Sequence, residues 1–151
     1  MRVFDGQTDS QPESLSRLRR QIREALVRAG VHGEVAADME VAVGEVLANT
    51  HLHAYQRGTG PVFVEVAASE DAVTICIRDE GLATVPPAIP LDRPSMSALG
   101  GRGLYLAGLL AGGIEVRVNP GGHGVTVRLA ARRSAPAKVE EADERPDLGG
   151  G

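Results

Sequence analysis

The chain has 151 residues, 42% of them hydrophobic, 24% charged and 3% aromatic, which suits one soluble domain with a modest aliphatic core rather than two. A net charge of -4 excludes a general nucleic-acid binder, because neutralising phosphates takes a clustered basic surface. One cysteine, Cys76, excludes a disulfide framework and reads as a small buried hydrophobe in a reducing cytoplasm, and the single lysine, Lys138, excludes lysine-dependent chemistry outside the C-terminal segment.

The opening MRVFDGQTDS lacks an apolar signal core and reads as a strand or arm. No stretch approaches the roughly 20 apolar residues that span a bilayer, so a soluble, cytoplasmic protein is expected. Pro12 and Glu13 then open a helix with Leu15, Leu18, Ile22, Ala25, Leu26 and Ala29 at helical spacing and Gly30 as its stop. Its other face carries Arg17, Arg20, Arg23 and Glu24. A second helix runs from near Glu34 to Tyr55 with a broad apolar stripe of Met39, Val43, Val46, Leu47 and Ala54. Two β-branched runs, 62–68 and 73–79, read as an antiparallel hairpin.

From Glu80 to Gly101 the chain carries Pro86, Pro87, Pro90 and Pro94 and forms a loop of about twenty residues, a length usual for functional lids or disordered segments. A short helix over 104–111 and a second hairpin over 114–120 and 123–131 follow. From Ser134 the polar, periodicity-free SAPAKVEEADERPDLGGG reads as a disordered tail, leaving one folded domain over 1–133 with a lid at about 82–101. Helices grouped between antiparallel hairpins predict an α+β fold, a two-layer α/β sandwich.

Three features carry chemistry. Glu45, Asn49 and His53 stand at i, i+4 and i+8, within about 80° on one face of the second helix. Polar groups on an apolar helix either form a helix edge in solvent or face an internal partner or a ligand, since unpaired burial costs roughly 1–3 kcal/mol each. An amide oxygen suits Mg²⁺, and a carboxylate one turn away can take a proton. Second, Ile77-Arg78-Asp79-Glu80-Gly81 places an acid at a strand end, where it either caps a turn or accepts from an exocyclic amine. Third, Gly100-Gly101-Arg102-Gly103 precedes a helix and offers backbone N–H groups to phosphate, or a lid hinge; it is neither a Walker A loop nor a dinucleotide fingerprint. His51 and His53 point about 200° apart, so they share no metal, and His32 and His123 sit in turns.

Together these residues resemble the GHKL (histidine-kinase-like) ATPase superfamily. The run from Glu45 through Asn49 and His53 to Tyr55 looks like its N box in the form seen in anti-sigma-factor serine kinases. Arg78 to Leu82 looks like the G1 box, and Gly101 to Leu104 like the G2 box. The resemblance covers about residues 10–131 and implies a Bergerat-type ATP-binding fold, a mixed, mostly antiparallel sheet covered by three helices with an ATP lid. It further implies Mg²⁺ on Asn49, Glu45 as general base, ATP contacts from Asn49 and His53, Asp79 on the adenine amino group and Gly81 giving the base close approach. Gly101 and Gly103 would let the lid close, Arg102 would neutralise phosphate, and Arg17 would lie on a partner surface.

Two positions depart from that pattern. Ala83 replaces the second glycine of the G1 box, and Gly124-Val125-Thr126 stands where a threonine normally follows glycine directly. The implied function is an anti-sigma-type serine/threonine-protein kinase that binds a sigma factor, phosphorylates an antagonist protein and forms a homodimer, with no direct contact to nucleic acid or membrane. A nucleotide-gated binding module without transfer is the alternative. ATP hydrolysis driving conformational work is disfavoured, because no transducer domain accompanies these motifs.

Overall fold

A computed structural model describes residues 1–56, 58–89 and 102–133, without the Arg102 side chain. Its elements are β1 (Arg2–Asp9), α1 (Pro12–Arg28), α2 (Gly33–His53), β2 (Pro61–Ala68), β3 (Ala72–Asp79), α3 (Arg102–Leu110), β4 (Gly113–Val118) and β5 (Val125–Arg132). Both helix-then-hairpin groups fall where the sequence pattern puts them. Much of the expected lid, residues 90–101 including Gly101, and the tail 134–151 lie outside the described residues.

Local chemistry sets the ends of α1. Pro12 begins it, where a missing N–H costs nothing, and Glu13 meets the positive end of the helix dipole. At the other end Gly30 takes φ +80°, Gly30 N–H bonds Val27 O at 3.0 Å and Val31 N–H bonds Leu26 O at 2.9 Å. This Schellman turn buries Leu26 and Val31 completely. The chain is thereby redirected into α2.

The five strands form one sheet in the order β1-β2-β3-β5-β4, and every neighbouring pair is antiparallel. The mixed sheet that the resemblance implies is therefore wholly antiparallel among the described residues. The reason is topological: β3 and β4 run in the same sense, and β5 comes between them.

Strand alternation separates the two faces. Val62, Val64 and Val66, Val73, Ile75 and Ile77, and Val125, Val127 and Leu129 all point toward the helices and are buried. Leu15, Leu18, Ile22 and Leu26 of α1, Met39, Val43 and Val46 of α2, and Leu104 and Ala107 of α3 close over them. Burying each such side chain contributes roughly 1.5–3 kcal/mol, so this single interface is the main source of stability. The α1–α2 seam is tight at Gly44, where an added Cβ would come 3.2 Å from the Arg19 guanidinium.

The opposite face of the sheet is half-buried and carries Phe63, Glu65, Cys76, Arg78 and Thr126. Arg78 lies 3.9 Å over the Phe63 ring. Cys76 belongs here, so the expectation of a small buried hydrophobe is corrected: strand parity turns it away from Ile75 and Ile77 and leaves it half-buried. Burial still pushes its thiol up from the usual value. No helix among the described residues is long and apolar enough to cross a membrane.

Candidate nucleotide-binding site

Asp79 is the one ionisable side chain in the buried set of the described residues, 8% exposed at the end of β3. A buried carboxylate is costly unless hydrogen-bonded. Here Oδ1 accepts from Gly81 N–H at 2.8 Å and from Val125 N–H at 3.2 Å. Both bonds use one oxygen, and among the described residues none reaches Oδ2. The carboxylate is thus fixed in orientation with one acceptor left over, which suits an exocyclic amine.

The turn that holds it is clamped from three sides. Asn119 Nδ2 donates to Asp79 O at 2.7 Å and Asn119 Oδ1 accepts from the Thr126 hydroxyl at 2.7 Å. Tyr55 Oη accepts from Glu80 N–H at 2.7 Å and donates to Pro61 O, tying β3 to the start of β2. Burial pushes the Tyr55 hydroxyl above its ordinary value. His123 Nδ1 lies 3.2 Å from Gly81 O, and since a carbonyl only accepts, that nitrogen carries the proton. Gly124, at φ +78°, leaves no space for a Cβ, which would come 2.6 Å from Asp79 O.

Glu45 and Asn49 are both half-buried on α2, so their stripe is not a plain solvated edge. Glu45 faces the start of α3: an added Cβ on Gly103 would stand 3.1 Å from Glu45 Oε2. The helix begins at Arg102, two residues earlier than its apolar pattern indicates, and Gly103 is therefore a first-turn residue. Its missing side chain makes room for the Glu45 carboxylate. At Gly81 the space where a Cβ would go is filled by the Ala54 carbonyl, so the glycine also serves packing against the end of α2.

His53 stands exposed in the last turn of α2, about 12 Å along the axis from Glu45. Arg17 is exposed on α1, on a different helix from the Glu45 stripe. His51, read as structural, donates from Nδ1 to Ser10 O at 2.9 Å. Ala83 O accepts from Gly124 N–H at 2.9 Å, so its backbone already seals the acidic turn to the last hairpin. Val125 directs its side chain into the helix-covered layer beside Asp79, whereas Thr126 sits on the open face bound to Asn119. Shifting the hydroxyl by one residue has moved it across the sheet.

Tyr55, Asn119 and His123 were not distinguished as site residues by spacing. Only the adjacency of Asn119 to the glycine turn gives a hint, and a turn asparagine has many ordinary uses.

Among the described residues no three His, Cys, Asp or Glu side chains converge as a metal site. A divalent ion would have the Asn49 amide, with its hard oxygen, and would need further ligands from water or phosphate; that donor set fits Mg²⁺ in the company of a nucleotide. No curated protein matches the chain. The family model described as histidine kinase-like ATPase domain matches residues 8–130, a span running from the end of β1 through β5. With all three helices, the α2 stripe and the acidic turn inside that span, the chain belongs to the histidine kinase-like ATPase domain family.

Proposed function

We propose that the chain is a cytoplasmic, ATP-binding regulatory serine/threonine-protein kinase of the anti-sigma-factor type, sequestering a sigma factor and phosphorylating its antagonist. The observation that supports this reading best is the Glu45–Gly103 juxtaposition, which puts a half-buried carboxylate against the first turn of α3, one helical turn from Asn49. Phosphoryl transfer is mostly positioning and charge neutralisation, so a base next to a phosphate-facing helix start is what it needs. Bound Mg²⁺ would supply charge neutralisation on the phosphates. Asp79 holds the base amine through Oδ2, Asn49 offers its amide oxygen to the ion, and Glu45 accepts the proton from the acceptor hydroxyl. Arg17 would meet protein partners, His53 and Arg102 would approach the nucleotide, and two copies would pair as a homodimer.

The test is Glu45→Gln. It is expected to retain ATP binding by calorimetry and to lose transfer to partners captured with Mg²⁺-ATP, read by phosphosite mass spectrometry. Transfer at the normal rate overturns the general-base role. The second reading, a nucleotide-gated binding module without kinase activity, is favoured by Val125, which gives the buried side of the acidic turn a hydrocarbon where a hydroxyl would otherwise reach. ATP binding that changes partner affinity while every captured partner stays unphosphorylated would select it.

A further inference from the structure

We propose that the acidic stretch 140–147 of this chain docks on the arginine face of α1. The first observation is where the chain leaves the fold. Arg133, directly after β5, donates its guanidinium to Ala29 O and, at 2.9 Å, to Ser69 O, while its backbone N–H bonds Asp71 O at 2.8 Å. Arg133, the last described residue, therefore lies beside the C-terminal end of α1.

The second observation is the charge on that helix. Arg19 and Arg23 point toward α2 and approach Glu40 at 3.9 and 3.7 Å. Arg17, Arg20 and Arg28 are exposed and form no ion pair among the described residues. At 100° per residue they fall within about 80° of one another on the outward side. Glu13 and Glu24 share this side and the Asp9 carboxylate feels the Arg17 charge, so the positive excess lies at Arg20 and Arg28. The third observation is complementarity: 140–147 carries Glu140, Glu141, Asp143, Glu144 and Asp147 against Arg145 alone.

Reach permits the contact. The helix is about 25 Å long, and 140–147 begins seven residues after Arg133, so an extended chain delivers it roughly 23–46 Å from the exit. Tethering places the acids at an effective concentration on the order of millimolar, so weak pairwise attractions suffice. Running back along the helix, the segment covers Arg28 first and Arg17 last. A protein partner using Arg17 would have to displace it.

The experiment compares amide spectra of the full ¹⁵N-labelled chain with those of a neutral-tail variant carrying Glu140→Gln, Glu141→Gln, Asp143→Asn, Glu144→Gln and Asp147→Asn. It uses neither nucleotide nor partner, so its outcome is separate from the kinase reading. Expected are shift changes larger over 17–28 than over β3 and β5, disappearing in 1 M salt, where charges are screened beyond about 3 Å. The same tail substitutions should change nothing on α1 in an Arg17→Glu, Arg20→Glu, Arg28→Glu background, whose exposed positions leave the fold intact. Shift changes confined to 134–151 overturn the proposal. Changes on α1 that grow with protein concentration assign the contact to a second copy and overturn it as well.

Discussion

The Gly81 main chain rests on the Ala54 carbonyl so closely that a methyl group on Gly81 would overlap it, and Leu82 N–H donates to that same oxygen at 3.1 Å. The end of α2, which carries the Glu45–Asn49 stripe, is thus keyed to the turn that carries Asp79. Neither half of the site can shift independently of the other.

Gly81→Ala is therefore expected to be costly. The obstacle is backbone, which cannot rotate away as a side chain can, and overpacking of this kind costs about 1–3 kcal/mol. A thermal melt should fall by about 2–4 °C for each kcal/mol in a domain of this size. Calorimetry should show weakened ATP binding. Gly121→Ala, where an added Cβ meets nothing within 4 Å, should change neither and serves as the control.

Asn119→Ala removes the amide that joins Asp79 O to the Thr126 hydroxyl. Leaving such groups unpaired costs about 1–3 kcal/mol. The expected result is a lower melting temperature together with a loss of ATP affinity, because the carboxylate is no longer held in register with Val125 N–H. An unaltered affinity in a destabilised protein would restrict Asn119 to a structural part.

Glu45→Gln and Asn49→Ala should separate binding from chemistry. Loss of a positioned general base typically lowers rates about 10²–10⁴-fold, and the glutamine is nearly isosteric beside Gly103. Binding should survive. Asn49→Ala should weaken both Mg²⁺-ATP binding and transfer, measured by calorimetry in the presence and absence of Mg²⁺.

The Tyr55 hydroxyl predicts an alkaline limb of stability. Burial raises its folded-state value above the ordinary 10.0, so the folded protein holds that proton more tightly than the unfolded chain. Its contribution is complete below about pH 10 and is lost as pH climbs through the raised value. Tyr55→Phe should remove this limb from a denaturation profile and also lower stability at neutral pH, by freeing Glu80 N–H. On the acid side Asp9 acts oppositely. The Gln11 N–H holds its carboxyl below the usual 3.8, so its contribution is present above that value and fades as pH falls.

Much of this was legible in the primary structure because periodicity carries it. The α1 stripe of Leu15, Leu18, Ile22 and Leu26 and the alternation in β2 and β3 each have one physical solution, an apolar face turned inward. Asp79, Glu45 and Asn49 were legible as polar residues where apolar ones were due. The glycines were less so. A sequence shows that Gly81 and Gly103 lack side chains, but whether the space serves a ligand or a neighbouring element depends on tertiary approach, here by Ala54 and Glu45. The half-buried place of Cys76 is hidden in the sequence because an unbroken apolar run masks strand parity. Asn119 and Tyr55 act through partners 40 and 25 residues away, separations that carry no local pattern.

The pairing of β1 with β2 sets a schedule for biogenesis. Residues 2–9 find their partners at 61–67, across both long helices, so the first strand to be made has nothing to pair with when it emerges. At translation speeds of about 5–20 residues per second the wait is roughly 3–12 seconds. During that interval α1 and α2 can form from local contacts, so β1 joins the sheet only after both helices have been made. Shortening or deleting the N-terminal strand should consequently leave early helix formation intact and weaken or remove only the long-range β1–β2 closure.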